Sequence, residues 1–279
     1  MLQLKFGLKR AATERPAFVM GIVNATPDSF YVESRGGAER ALKLIKEGAA
    51  ILALGGESTR PGAQRVTPKV EQGRVLPVVE ALAAAGIPTS IDTLNAETAT
   101  AAVQAGAHYV NDVSGGLADD RMLDAVAALD VDISIGHWRG PSADMYAHAQ
   151  YVRVAREVAS ELQARASAAV AAGIAPARII VDPGIGFAKS GAQNWDVLRG
   201  LDDIAALGYR VLIGTSRKRF LTETLGAVNL EEPITEQRRD LATAVTSVLA
   251  ARAGAWAVRV HDVAATRDAL AITAAWDGA

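Results

Sequence analysis

Hydrophobic positions gather into eight short runs of aliphatic and β-branched residues, each closed by polar ones. They are FVMGIVN from Phe18, AAILALGG from Ala49, PTSIDT from Pro88, YVNDVSG from Tyr109, DISIGHW from Asp132, RIIVDPGIGF from Arg178, RVLIGTS from Arg210 and AWAVRVHDV from Ala255. Their starts lie about 34 residues apart on average, the length of a βαβ unit rather than of a hairpin. The stretches between them are rich in alanine and spaced as helices. In AERALKLIKEGAA, Leu42, Ile45 and Ala49 predict one apolar face, with Lys43, Lys46 and Glu47 opposite. Several of these stretches end in a glycine just before the next run, at Gly86, Gly106, Gly173 and Gly254, where a left-handed C-cap is expected.

Repeated helix, glycine, strand punctuation predicts parallel strands. Eight such repeats with no Pro/Gly/Ser linker among them predict one α/β domain over residues 1–279, a (β/α)8 TIM barrel, with a doubly wound sheet as second choice. The barrel has a directional consequence, because residues at the carboxyl ends of its strands converge on one face.

Composition narrows the partners. Hydrophobic residues make up 50% of the 279 and charged ones 22%, enough for a large core and incompatible with intrinsic disorder. With 29 basic and 31 acidic residues the net charge is −2, so no bulk positive field exists to hold nucleic acid or an anionic membrane, and a small-molecule partner is expected. The chain has no cysteine, which excludes disulfides, thiolate metal sites and a cysteine nucleophile. The longest stretch without Asp, Glu, Lys or Arg, Thr98 to Asn111, is too short to span a bilayer. The opening MLQLKFGLKRAATERP places charges where a signal peptide needs an apolar core, so a cytoplasmic location is expected.

The runs end in useful chemistry: Asn24, Thr26 and Asp28; Glu57 to Arg60; Asp92; Asn111 and Asp112; His137 and Arg139; Asp182; Ser216 to Lys218; and Arg259, His261 and Asp262. A single Asp after a strand is usually a cap or turn former, but polar endings at all eight runs point to a site. Two groups separate. Thr59, Arg60, Arg259 and His261 offer donors to an anion, and GGESTRPG frames Arg60 with glycines as a phosphate contact would need. No GxxxxGK[ST] loop is present.

Asp92, Asn111, Asp182 and Lys218 supply acceptors and donors suited to the edge of a pterin or purine, and Phe187 in DPGIGF is placed to lie against such a ring. His108, His137, His148 and His261 lack zinc-site spacing. A hard Mg2+ held by a diphosphate and one protein oxygen, such as that of Asn24, is compatible with the sequence.

Taken together, MGIVNATPDSF, GGESTRPGA, TSIDT, NDVSGG, DPGIGFAK, GTSRKRF and VRVHDV resemble, in order, the motifs of the dihydropteroate synthase family of pterin-binding barrels. The resemblance implies transfer of the pterin-methyl group of 6-hydroxymethyl-7,8-dihydropterin diphosphate to 4-aminobenzoate, with release of diphosphate. It implies Asn24 at a Mg2+ bound to the diphosphate, with Thr59, Arg60, Arg259 and His261 on the diphosphate itself. Asp92, Asn111, Asp182 and Lys218 would hold the pterin. Ser216 would lie near the aminobenzoate carboxylate, with Phe30 and Pro61 bordering that subsite and sulfonamides competing there. A homodimer through the late helices is also implied.

Three departures from the family pattern stand out. Val32 replaces an acid in a first loop that is also shorter than usual. Ala53 replaces an inward Asp, so Arg259 is expected to be less restrained. Gly136 replaces Met, so the pocket wall is expected to open. These leave a second reading, a pterin-binding homologue with lost or weakened synthase activity. A folate-dependent methyltransferase and a sugar-phosphate barrel enzyme explain fewer of the strand ends.

Overall fold

The computed structural model describes residues 17–25, 35–58, 62, 64–141, 146–147, 149–228 and 232–278. Phe30, Val32, Thr59, Arg60 and Pro61 therefore lie outside the described residues, as do the rest of the first loop and His148.

Each predicted run contains a strand: β1 (Phe18–Asn24), β2 (Ile51–Gly55), β3 (Thr89–Asp92), β4 (Tyr109–Asp112), β5 (Asp132–Gly136), β6 (Ile179–Asp182), β7 (Arg210–Ile213) and β8 (Ala257–Val260). They pair in sequence order, all parallel, and β8 returns to β1 to close the barrel. The helices are α1 (Arg35–Lys46), α2 (Pro68–Ala84), α3 (Ala96–Gln104), α4 (Met122–Leu129), α5 (Val154–Ala171), α6 (Gly191–Arg199), α7 (Leu201–Ala205), α8 (Arg219–Val228), α9 (Glu236–Arg252) and α10 (Val263–Trp276). The four glycines expected as C-caps all adopt positive φ. At Gly106 no other residue fits, because a Cβ there would sit 2.4 Å from that of Ala83. Among the described residues, no helix is long and apolar enough to cross a membrane.

Alternation along the strands sorts the apolar residues into two clusters. One set, including Val23, Leu54, Ile91, Val110, Ile135, Val181, Ile213 and Val260, packs outward against the helices. The intervening positions Met20, Ile51, Ala53, Tyr109, Ile180, Leu212, Trp256 and Ala257 form a separate cluster inside the barrel.

The face of α1 differs from the expectation. Ala41 and Leu44 are fully buried, whereas Leu42 is 47% exposed and Ala49 falls after the helix. Leu44 meets β1 where Gly21 removes a side chain, with Ala49 and Val263 beside it, and that fit rotates the buried stripe by one residue.

Candidate active site

The carboxyl ends of the strands form a polar layer directly above the apolar interior cluster. In register around the rim, Asn24 of β1 lies beside Gly55 of β2, Gly55 beside Asp92, Asp92 beside Asn111, and Asn111 beside Ser134. Gly136 of β5 lies beside Asp182. Each of these positions shares a face with the barrel interior, and such a face stays polar only where its groups are paired or where a ligand satisfies them.

Arg259 binds this layer across its width. Its guanidinium donates to Asp182 Oδ2 at 2.9 Å and to Asn111 Oδ1 at 3.2 Å, and Asn111 Nδ2 donates to Asp92 Oδ1 at 3.1 Å. Two predicted groups therefore meet in one network: Arg259, grouped by sequence with the anion donors, is hydrogen-bonded among the residues suited to a heterocycle. The expectation that Ala53 leaves Arg259 loosely held is corrected here. Arg259 is nine-tenths buried and held by two partners, while Ala53 packs in the apolar cluster beneath.

Burial pushes the Asp92 carboxyl above its ordinary value, opposed by Arg259 and by the Asn111 amide. Burial also lowers the Lys218 ammonium to about 8, with Asp182 pulling upward and Arg259 pushing further down. Ser134 Oγ, buried in the same interior, has no hydrogen-bond partner. The rim thus carries two carboxylates, two cations, an amide and an orphaned hydroxyl.

The segment after β6 forms one wall. Gly184 N donates to Asp182 Oδ1 at 2.8 Å, in a left-handed conformation with φ 62°, and a Cβ there would sit 2.4 Å from the His137 carbonyl oxygen. Lys218 Nζ donates to Ile185 O and lies 4.8 Å from the centre of the Phe187 ring. Gly136 does not open this wall as expected. The backbone of Val113 fills the space, only 2.5 Å from where a Cβ would stand.

At the β7 and β8 ends, Ser216 Oγ lies 2.9 Å from His261 Nδ1 and accepts from His261 N at 3.0 Å. Arg40 of α1 donates to His261 O at 2.8 Å. Between Ser216 and Lys218, Arg217 takes a left-handed φ of 57°. Its guanidinium is bidentate to Asp240 of α9, at 2.7 and 2.8 Å, so it braces the segment from behind.

Asp112, at the end of β4, alternates with Asn111 and so takes the helix side of the barrel wall. Its oxygens accept from Ser114 N at 2.8 Å, Ser114 Oγ at 2.7 Å and Gly116 N at 2.6 Å, which shapes the turn after β4.

Several supporting residues escaped the sequence reading. Glu71 of α2 is fully buried and accepts from Thr93 Oγ1 at 2.9 Å and Asn95 Nδ2 at 2.7 Å, just past Asp92. Burial raises its carboxyl above the ordinary range. Lys189 is buried against His137, which in turn meets Glu161. The one available signal was a lysine following the glycines of DPGIGFAK, where a solvated side chain is the ordinary assumption. Among the described residues, no cluster of three acidic or histidine groups could hold a metal by itself.

Comparison with known proteins matches residues 20–261 to a family described as pterin binding enzyme. A dihydropteroate synthase of Mycobacterium leprae is 48% identical over 268 residues, covering 94% of each chain. The structure of Xanthomonas albilineans dihydropteroate synthase with 4-aminobenzoic acid is 41% identical, with a TM-score of 0.85 over 95% of this chain and 94% of that one. A Yersinia pestis dihydropteroate synthase in a sulfonamide drug complex is 33% identical, with a TM-score of 0.89 over 98% of both.

Proposed function

The chain belongs to the pterin binding enzyme family, and from that premise we propose how its residues divide the work of a dihydropteroate synthase. The activity is a transferase reaction: 6-hydroxymethyl-7,8-dihydropterin diphosphate and 4-aminobenzoate give 7,8-dihydropteroate and diphosphate. The observation that carries the assignment of roles is the buried network joining Asp92, Asn111, Arg259 and Asp182 at the carboxyl ends of the strands.

The pterin edge carries amino and imino donors together with ring-nitrogen and carbonyl acceptors. Asp182 and Asp92 accept from the former, while Asn111 and Lys218 donate to the latter, and Phe187 packs on the ring. During reaction the carbon–oxygen bond to diphosphate breaks early and the amine nitrogen takes its place on the methylene carbon, losing a proton. The carboxylates favour the cationic pterin-methyl group electrostatically, in a site already organised before substrate arrives. Arg259 couples the two halves, since the guanidinium that fixes Asp182 lies on β8, two residues before His261, which follows the strand's end.

Diphosphate is assigned to His261, Arg259, Thr59 and Arg60, and 4-aminobenzoate to the side of Ser216, bordered by Phe30 and Pro61. Sulfonamides compete at that subsite. Asn24 is half-buried at the rim, and its single amide oxygen, with no metal-holding cluster among the described residues, fits a Mg2+ held chiefly by substrate oxygens. When bound, that ion neutralises charge on the departing diphosphate.

Exposed Leu241, Val245 and Leu249 form a stripe along α9 beside Ile272 and Trp276 of α10, and this supports a homodimer through these helices. A substrate bearing a diphosphate does not cross a bilayer unaided, which supports placing the reaction in the cytoplasm. The test is turnover of purified protein with Mg2+ and both substrates. Diphosphate release that depends on 4-aminobenzoate is expected. Release no faster than the uncatalysed rate would overturn the reading.

A further inference from the structure

Lys189 is 1% exposed and has no place among the substrate contacts assigned above, yet every one of its N–H groups is used. Its Nζ lies 3.0 Å from His137 Nδ1, 3.0 Å from Gly184 O and 3.0 Å from Phe187 O. An ammonium has three donors and no acceptor, so three acceptors at bonding distance saturate it. With Nδ1 accepting, His137 is neutral and carries its proton on Nε2, which donates to Glu161 Oε2 at 3.0 Å. Arg139 closes the far end of the chain, paired with Glu161 and stacked 3.9 Å over Tyr151.

The segment that Lys189 grips is conformationally costly. Gly184, Gly186 and Ala188 all take positive φ, at 62°, 82° and 48°, and alanine gains nothing from that region. Such a run persists only where surrounding contacts over-determine it. Lys189 holds the carbonyls of Gly184 and Phe187, Lys218 holds that of Ile185, and Asn194 Oδ1 accepts from Gly186 N at 2.6 Å. The same segment begins at Asp182 and carries the Phe187 ring, with Lys218 4.8 Å from its centre. Burial lowers the Lys189 ammonium to about 7, consistent with a group held for its geometry at some expense.

We propose that Lys189 is a positioning residue, which, through His137 and Glu161, fixes the Gly184–Ala188 segment so that Phe187 and Lys218 present a preformed wall to the pterin. This rests on the reading of Phe187 and Lys218 as pterin contacts. It assigns Lys189 no contact with substrate.

The test is steady-state kinetics on Lys189→Met, with the folded fraction measured by circular dichroism. The KM for the pterin diphosphate should rise about tenfold, with kcat and the KM for 4-aminobenzoate held within about twofold. A role in stability alone would lower apparent kcat with the folded fraction and leave the pterin KM unmoved.

In a Phe187→Leu background the same substitution should raise the pterin KM by less than about threefold, because the ring it positions is gone. Glu161→Gln, at the half-exposed end of the chain, should shift the same constant by about twofold and serves if Lys189→Met does not fold. An unchanged pterin KM, or an undiminished effect in the Phe187→Leu background, overturns the proposal. Calorimetric pterin binding on these variants reads the same outcome without turnover, so a wild-type protein lacking synthase activity strikes the functional reading separately.

Discussion

The interior of the barrel has two floors built from the same strands. On the lower one, Tyr109, Ile180 and Ala257 pack with Met20, Leu212 and Trp256. Two residues further along β4, β6 and β8, the positions facing the same way are Asn111, Asp182 and Arg259, joined by hydrogen bonds. A step of two residues moves about 6.6 Å along a strand and leaves the side chain on the same face. Within that distance the environment changes from dry packing to a charged network. The lower floor supplies shape and exclusion of water, and the upper floor inherits a fixed geometry and a low dielectric, in which a few polar groups have large effects.

Substitutions should separate the two floors. The largest effect is expected from Asp182→Ala, which leaves the Arg259 guanidinium buried with one partner fewer and Gly184 N without its acceptor. Breaking such a pair costs about 3–5 kcal/mol, visible as a lowered denaturation midpoint together with loss of pterin binding. Asp92→Asn keeps shape and burial and removes one charged acceptor. Pterin affinity should fall by about 10- to 100-fold, with a smaller change in stability, in calorimetric titrations.

Leu212→Ala on the lower floor is the converse. It should destabilise by about 2–5 kcal/mol in urea unfolding while the pterin KM of the folded protein stays within about twofold. A comparable loss of affinity from Leu212→Ala would break the distinction between floors.

The smallest effect is one of pH. Lys218 titrates near 8 in the folded protein, below its ordinary value of 10.5. Between those values the unfolded chain binds more protons, so this group makes stability rise with pH across that window. Pterin binding should move the opposite way, weakening as pH rises through about 8 and the ammonium is lost. Lys189, lowered to about 7, adds to the same rise in stability, so affinity and unfolding free energy measured from pH 7 to 10 in wild type and in Lys189→Met separate the two contributions of Lys218.

Much of this layout was legible in the chain. The eight runs mark all eight strands because a parallel strand buried on both faces is written as one short apolar block. The residues closing those blocks predicted Asp92, Asn111, Asp182 and Arg259 as neighbours, since strand ends in a closed barrel converge. Their pairing was less legible. Arg259 reads as an anion donor by type, and only the packed barrel shows it clamped to Asp182 from 77 residues away.

Lys189 and Glu71 were missed for a related reason: a lysine in a loop and a glutamate in a helix ordinarily face solvent, and only the folded chain turns them inward. The α1 face was misjudged because Ile45 and Leu42 compete with Ala41 and Leu44 on hydrophobicity alone. Tertiary fit against Gly21 decides between them.

On the proposed roles, the upper floor grips the pterin on a scaffold whose lower floor takes no part in recognition. Calorimetric titration of a pterin into wild type, Asp92→Asn and Leu212→Ala under one condition tests it most directly. Matching affinities are expected for wild type and Leu212→Ala, with Asp92→Asn weaker by about tenfold or more. Equal affinities for wild type and Asp92→Asn would contradict it.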